Sequence, residues 1–287
     1  APSRDLAIAD DDFIVVKDNG SYKMNEFASS QLAAKLSIPK LYWDRCRQVP
    51  GLRSQNANAW FNVDPDKGRM VRTIGDTARA VVSDRYMRID NYPVLNAIYP
   101  VLENAYRQYG IEIVSHALSD TKMYLQIVFP KKQGEVKVGD VVQAGVTILN
   151  SEVGAGAYDI QTWMRRLVCS NGMIGESLFR KYHLGRKIDD YDEGALFRSD
   201  TIQSELNTIA LKSRDVLSEA ISGDWFQREI EKMKAATGDS ISKPVDTVEK
   251  TVKVLGLPDF SKDMVLANLI KGGELNRWGL ANSVTAL

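Results

Sequence analysis

The spacing of apolar residues along the chain changes near Asp200. Between residues 56 and 185, apolar and polar residues alternate in short runs that are separated by glycine, Asp-Pro and Asn-Gly steps. This two-residue period is typical of strands that bury one face. After Asp200, apolar residues recur at intervals of three and four, which is the period of amphipathic helices. The sequence therefore predicts a strand-rich region followed by a helical one.

A helix is also expected among the strands. Residues 93–110 return to the helical period, with Leu95, Ile98, Leu102 and Tyr106 on one stripe. Because consecutive short strands usually pair in antiparallel fashion, we expect an α+β fold with an antiparallel sheet core and packed helices. The predicted strands lie within residues 56–64, 68–75, 78–86, 111–120, 122–130, 140–154 and 157–170.

Helical spacing also precedes the strands. Residues 24–49 carry apolar side chains near helical intervals and a break at Ser37-Ile38-Pro39, which predicts two short helices that meet at a tight turn. We therefore divide the chain into an α+β core with an N-terminal helical pair, residues 1–200, and a mainly helical C-terminal region, residues 201–287.

The C-terminal region begins with a long amphipathic segment, and shorter helices are expected to begin after Ser240 and near Asp263. Its length exceeds what a small sheet needs as cover, so we expect it to support assembly into a homo-oligomer. The predicted core contacts are Leu206, Ile209, Leu217 and Ile221, and the aromatic residues expected against the core or between subunits are Trp225, Phe226 and Trp278.

Composition indicates an ordinary globular protein. Apolar residues make up 44% and charged residues 26%, and 37 basic side chains balance 37 acidic ones, so the global charge favours no class of partner. No apolar run approaches the roughly 20 residues of a membrane span, and the first residues lack the features of a signal peptide. We expect a cytoplasmic protein without a membrane partner.

Motifs for catalysis or metal binding are missing from the sequence. A cysteine nucleophile needs a nearby base, and the chain offers only Cys46, Cys169, His116 and His183, with no C-x-x-C or H-E-x-x-H spacing. The glycines of residues 151–159 lack the G-K-[ST] ending of a phosphate loop and predict a hairpin or bulge. We expect no enzyme, no catalytic residue, no metal and no cofactor.

Residues 162–175 combine arginines, a cysteine and an Asn-Gly step. The run up to Ser170 alternates as a strand does, and Asn171-Gly172 suits a tight turn, so Cys169 is predicted at a strand end as a small buried residue. Replacing Cys169 by serine should therefore preserve any activity.

Cationic and aromatic residues are interleaved in two segments, as in proteins that bind single-stranded nucleic acid. There, cations track phosphates while aromatic rings stack on bases. The candidate stacking faces are Trp60, Tyr86 and Trp163. The candidate phosphate contacts are Arg69, Arg72, Arg79, Arg85, Arg88, Arg165, Arg166, Arg180 and Lys181.

Arg165 and Arg166 are adjacent within a predicted strand. Successive strand residues point to opposite faces, so at least one of these guanidinium groups should reach solvent. Asp159 is the one acidic residue close to them in sequence. An antiparallel return after the predicted turn would add Arg180 and Lys181, and the four cations would then form one DNA-facing ridge.

The predicted helical pair supports a different nucleic-acid hypothesis. Residues 29–47 resemble a helix-turn-helix whose second helix carries Lys40, Tyr42, Arg45 and Arg47. A protein of this kind would read the sequence of a DNA duplex. Helix pairs of this kind also occur as plain packing units.

Five motifs, in this order, resemble the phage and plasmid protein family defined by domain of unknown function 932. They are ASSQLAAKLSIPKLYWDR, NANAWF, MVRTIGDTARAVVSDRYMRIDN, GVTILNSEVGAGAYDIQTWMRRLVCSNGMI and LNRWGLANSVT, and they extend the resemblance over residues 24–285. The resemblance implies a mobile-element protein and assigns no catalytic residue. At the level of fold, the predicted sheet and helices are also similar to phage single-strand annealing proteins.

These observations together favour a non-enzymatic DNA-binding protein, most concretely a homo-oligomer that binds single-stranded DNA and anneals it during recombination. The alternatives are a sequence-specific duplex binder that uses residues 29–47, and a protein-binding factor that inhibits host defence.

Overall fold

Two five-stranded sheets organise the chain. The computed structural model describes residues 1–167, 172–183, 187–188, 191–192 and 199–287. In the first sheet the strand order is β1-β2-β3-β5-β4, with β3 and β5 parallel and the other neighbours antiparallel. Its strands are β1 (Leu6–Ala9), β2 (Phe13–Val16), β3 (Gly20–Met24), β4 (Arg69–Ile74) and β5 (Thr77–Ser83).

Three helices lie between β3 and β4: α1 (Glu26–Lys35), α2 (Lys40–Arg45) and α3 (Leu52–Val63). The predicted helical pair is confirmed as α1 and α2. Trp43 of α2 is fully buried and donates its indole N–H to Ser29 Oγ of α1 at 2.9 Å. This hydrogen bond satisfies the indole inside the core and holds the two helices together.

The strand predicted at residues 56–64 is wrong, because this segment belongs to α3. Ala57 and Phe61 lie one helical turn apart, and both are buried in the core of the first sheet. The Asp11 carboxylate accepts hydrogen bonds from the backbone N–H groups of Gly51 and Ser54, which satisfies the start of the helix from a distant loop.

The second sheet is an antiparallel meander. Its order, β10-β9-β8-β7-β6, follows the chain, and α4 (Asn91–Tyr109) connects it to the first sheet. A two-stranded ribbon of β11 (Lys187–Ile188) and β12 (Tyr191–Asp192) follows. The strands of the meander are β6 (Glu112–Leu118), β7 (Met123–Lys137), β8 (Asp140–Asn150), β9 (Tyr158–Arg166) and β10 (Gly172–Lys181).

Five helices complete the described chain: α5 (Ser199–Ser222), α6 (Trp225–Gly238), α7 (Pro244–Val254), α8 (Ser261–Gly272) and α9 (Arg277–Thr285). The predicted α+β class is confirmed, including its helical C-terminal region. Among the described residues, no helix combines the length and apolarity that a membrane span requires.

The core of the second sheet extends into the C-terminal helices. Ile209, Leu217 and Ile221 of α5 are buried there as predicted, and Leu206 is partly buried. Trp225, Phe226 and Trp278 belong to the same core, so these aromatic rings pack within the subunit. On α4, Ile98 is buried and Leu95 and Leu102 are partly buried, but Tyr106 is exposed, which corrects its predicted place in the core stripe.

A buried carboxylate joins the sheet to the last helix. Asp140, at the start of β8, accepts hydrogen bonds from Arg166 Nε at 2.6 Å and from Trp278 Nε1 at 2.9 Å. Burial alone would raise the pKa of Asp140, but these hydrogen bonds outweigh it and hold the pKa below the usual value of an aspartate. The charged form is therefore the one that stabilises this junction.

Asp140→Asn should lower the free energy of unfolding by about 3 kcal/mol at neutral pH, because it leaves the Arg166 guanidinium poorly paired. Since the folded-state pKa is depressed, the wild-type advantage is complete above the unfolded-state pKa and is lost as pH falls through the folded-state pKa. Urea melts at several pH values measure this difference. The control is Asp215→Asn, whose carboxylate is exposed. Equal stability of the Asp140 variant and wild type at pH 7 would contradict the prediction.

Candidate functional site

The two faces of the second sheet differ because side chains alternate along its central strand. Val146 and Ile148 of β8 point into the core that the helices share, whereas Thr147 and Leu149 point to the opposite face. In register with Thr147 lie Gln126 of β7 and Gln161 of β9, so hydrogen-bonding side chains cross this face.

A cavity of about 370 Å³ opens at one end of this opposite face, beside the hairpin of residues 151–157 that joins β8 to β9. The predicted hairpin in this glycine-containing segment is confirmed. We call this space the sheet-end cavity. It is lined by Lys122, Met123, Tyr124, Leu149, Asn150, Gly156, Ala157, Asp159, Gln161, Arg180 and Tyr182.

Arg180 and Lys122 bring positive charge to the sheet-end cavity. Asp159 is buried and accepts hydrogen bonds at Oδ2 from Arg180 Nε at 2.8 Å and from Gln161 Nε2 at 2.8 Å. The Arg180 side chain remains 48% exposed, and its hydrogen bond and charge interaction with Asp159 raise its pKa. Lys122 is exposed and forms no ion pair with any described residue. Its ammonium is therefore available to an anionic ligand.

Two tyrosines contribute aromatic surface to the same wall. Tyr124 of β7 is partly buried, and burial raises the pKa of its hydroxyl. Tyr182, just after β10, is 62% exposed. The sheet-end cavity thus combines cations, amide groups and ring faces.

A buried polar cluster supports the sheet-end cavity from behind. Asn150 donates hydrogen bonds to Ile89 O at 2.9 Å and Asn91 Oδ1 at 2.8 Å, and its own Oδ1 lies 3.1 Å from His183 Nε2. The His183 ring stacks on Tyr86 with 5.1 Å between ring centroids. Burial lowers the pKa of His183 although a hydrogen bond with Met87 opposes the shift.

The structure removes two of the three predicted stacking faces. Tyr86 is buried and donates its hydroxyl to Ser151 O at 2.9 Å, and Trp163 is buried and donates to Ile127 O at 3.2 Å. Gly145 makes room for Trp163, since a Cβ there would lie 2.7 Å from the indole nitrogen. Trp60 of α3 remains 48% exposed, far along the chain from the sheet-end cavity.

Most of the predicted phosphate contacts are neutralised within the protein. Arg69 is buried below the Phe61 ring and donates to Ser3 Oγ, so it is not a surface cation. Arg85 and Arg88 are exposed after β5. The other six form ion pairs, namely Arg72–Asp90, Arg79–Glu152, Arg165–Glu112, Arg166–Asp140, Arg180–Asp159 and Lys181–Glu205.

The predicted four-cation ridge is wrong. Arg165 is opposite Gly172 in the pairing of β9 with β10, while Arg180 is opposite Asp159, six residues further along β9 or about 20 Å away. As the pleat argument requires, the two adjacent arginines diverge. Arg166 reaches the buried Asp140, and the partly exposed Arg165 reaches across two strands to Glu112.

Two of the three cations predicted on the second helix of the pair, Lys40 and Arg47, are also engaged, whereas Arg45 is exposed. Lys40 and Arg47 both contact Glu26, and Lys40 additionally contacts Asp44. Hydrogen bonding by Arg47 lowers the pKa of Glu26. These contacts place the second helix of the pair in an ion network on the protein surface.

The structure describes one of the two cysteines, Cys46, and the side chains that could bind a metal ion within the described ranges. Cys169 and the turn at Asn171 lie outside the described residues, and Cys46 is buried. Within the described ranges, His, Cys, Asp and Glu side chains form no group of three suited to a metal ion.

Sequence patterns did not single out Lys122, Tyr124, Asn150, Gln161 or Tyr182. Their strand periods were visible, but the residues that become neighbours depend on register across four strands. Alternation could have placed Tyr124 and Gln161 on the face away from the helices once the pairing of β7, β8 and β9 was known.

Residues 78–183 match the family model described as Domain of unknown function (DUF932). The matched segment includes every residue that lines the sheet-end cavity, and it is shorter than the 24–285 span suggested by the motifs. The search of curated proteins and the search of solved structures found no match.

Asn150→Ala should lower the free energy of unfolding by about 2 to 4 kcal/mol, because several buried polar groups lose their partner at once. Combined with His183→Ala, the two changes should cost less than their sum by about 1 kcal/mol or more, since both disrupt the same cluster. Chemical denaturation of the four proteins measures the coupling. Asn104→Ala, at an exposed position of α4, is the control. Strict additivity would show that the two side chains act independently.

Proposed function

We propose that this protein is a non-enzymatic single-stranded DNA-binding protein of a phage or plasmid, acting in the host cytoplasm as a homo-oligomer that anneals DNA strands during recombination. The observation that carries the proposal is the sheet-end cavity, in which Lys122, Arg180, Tyr124 and Tyr182 surround amide side chains. These groups fit one nucleotide of a single strand.

Each part of a nucleotide has a matching group in the sheet-end cavity. The exposed ring of Tyr182 offers a face for base stacking, which is tolerant of sequence because every base has a π-face. Lys122 offers a point charge for a phosphate, whereas the half-exposed Arg180 is already paired with Asp159 and offers its remaining hydrogen-bond donors. The volume of about 370 Å³ is at the small end of ligand sites and suits a base with its sugar rather than a duplex.

Ion pairs within the protein leave few cations that could contact the phosphates of a bound strand. Six of the cations predicted to bind phosphate already contact carboxylates, so a duplex would meet no broad positive surface on them. With about one phosphate neutralised per subunit, by Lys122, the logarithm of affinity should fall with the logarithm of salt with a slope near −0.7 for a single strand.

One anchored nucleotide per subunit is compatible with annealing. The intervening nucleotides would keep their base edges exposed, and neighbouring subunits of an oligomer would hold the strand extended. The duplex-binding alternative loses support from the ion pairs of Lys40 and Arg47. The same neutralisation of surface cations favours a protein-binding factor as the second candidate function.

Lys122→Glu should weaken binding of a labelled oligothymidine about tenfold and flatten its salt dependence by one phosphate contact. Tyr182→Ala should weaken binding by about 1 to 3 kcal/mol through lost stacking, whereas Tyr182→Phe should retain most of the affinity because the ring remains. Fluorescence anisotropy at several salt concentrations provides both quantities.

The matched control is Lys17→Glu, which makes the same charge change at an exposed position between β2 and β3. Affinities of the Lys122 and Tyr182 variants that equal wild type would remove the sheet-end cavity from the DNA site. Absence of DNA binding by the wild-type protein at low salt would favour the protein-binding candidate.

A further inference from the structure

Strand β6 differs from β7, β8 and β9 of the second sheet in its exposure. It is an edge strand, and its outer edge pairs with no described residue. All seven of its residues are exposed, including Ile113 at 57% and Leu118 at 77%. An edge of this kind is a template for a further strand, because its outward N–H and C=O groups can continue the ladder.

The apolar side chains of β6 extend the protein core beyond its cover. Ile113 is opposite Ile127 of β7, and Leu118 is opposite Met123, and both partners belong to the buried core. They therefore point to the face on which the helices pack. Helix α4 packs on β7 and leaves the apolar side chains of Ile113 and Leu118 on β6 exposed. We call this exposed surface of Ile113 and Leu118 the ledge.

Helix α4 carries a second uncovered surface above this ledge. Tyr92, Tyr99 and Tyr106 are exposed and follow one another at seven-residue intervals, so they form one stripe that we call the tyrosine flank. On another side of α4, Pro93 and Val94 line a small cavity with Gln203 and Leu206 of α5. The helical period places the tyrosine flank away from α5, and because α5 contacts β9 and β10, the flank lies toward the β6 side of the sheet.

The central part of β6 also lacks the charges that protect sheet edges. Ser115, His116, Ala117 and Leu118 include no Lys, Arg, Asp or Glu, and Glu112 at the start of the strand is engaged by Arg165. The irregularity of the strand is confined to the register shift between Ile113 and Ser115. The segment from Ser115 onward is regularly paired with β7 and presents a straight outer edge.

We propose that β6 pairs in antiparallel fashion with β6 of a second copy of this chain, which joins two second sheets into one continuous ten-stranded sheet. An axis perpendicular to the sheet, midway between Ala117 and Ala117 of the other copy, would place His116 opposite Leu118 of the other copy, and both of these side chains point to the helix-covered face. No two charged side chains would meet in this pairing. This inference rests on the homo-oligomer of the proposed function but not on its DNA site.

A second copy of the chain would cover both the β6 edge and the tyrosine flank. The perpendicular two-fold axis keeps both helix layers on the same face, so the two α4 helices would flank the paired strands. Their tyrosine flanks would face each other across the ledge of Ile113 and Leu118. Strand and helix together form a strip roughly 25 Å long and about 20 Å deep, or about 500 Å², which is close to the lower end of stable interfaces, about 600 Å² per partner.

Light scattering coupled to size-exclusion chromatography, without DNA, tests the proposal. Wild type should form a dimer or a larger even-numbered species. Ile113→Lys combined with Leu118→Lys should raise the dissociation constant of self-association roughly tenfold or more, because lysines on a sheet edge oppose pairing. Val254→Lys combined with Ile270→Lys makes the same charge change at exposed positions of α7 and α8 and should leave the assembly unchanged.

Hydrogen exchange of wild type provides a readout that needs no variant. Backbone amides of residues 115–118 should be protected at high protein concentration and lose protection on dilution. A wild-type monomer at every soluble concentration, or an oligomer that keeps its size in the Ile113/Leu118 variant, would overturn the proposal. DNA binding by a monomer would leave the sheet-end cavity intact while removing the β6 interface.

Discussion

The pleat of β8 determines what each face of the second sheet can do. Val146 and Ile148 face the helices and form a dry core with α4, α5 and α6, so the other face receives Gly145, Thr147 and Leu149. That face cannot also be an apolar core, because Gln126 and Gln161 lie in register with Thr147. Polar groups concentrate there, and the sheet-end cavity forms where the strands end. A one-residue slip of β8 would exchange the two faces and abolish both the core and the cavity.

The first sheet fixes the position of the hairpin that borders the sheet-end cavity. Gln31 of α1 donates its amide to Val153 O at 2.8 Å, and Arg79 of β5 contacts Glu152 at 3.0 Å. On the other side of the junction, Tyr86 and His183 stack within the buried polar cluster. The cavity wall therefore depends on segments that precede and follow it along the chain. Under the proposed function, a frame held by these contacts would lower the entropic cost of binding a flexible single strand.

Ion pairs within the second sheet leave fewer unpaired cations than the number of arginines in its sequence suggests. Glu112, Asp140 and Asp159 each hold one of the predicted phosphate contacts. Their pairs contribute to strand and helix packing, and a phosphate would have to compete with carboxylates that are already positioned. Binding energy would then come from stacking and a few cations rather than from a long-range positive field. The exposed β6 edge and tyrosine flank are more suited to contacts between protein chains, which assigns the two proposed roles to opposite faces of the sheet.

The sequence by itself determined the elements whose signals are local. The strands β6 to β9, helix α4 and the C-terminal helices follow from periods of two and 3.6 residues, because those periods are set by the geometry of the strand and of the helix. The tertiary structure decided the rest. Residues 56–63 form a helix because Ala57 and Phe61 pack on the first sheet and Asp11 satisfies the helix start, although their local pattern alternates. The short strands before Met24 carry too few residues to show a period. Arg165 and Glu112 are 53 positions apart, and their contact exists only because the meander brings β9 and β6 into one sheet. Register across strands is a property of the assembled sheet, so neither the ion pairs nor the sheet-end cavity could be read from spacing along the chain.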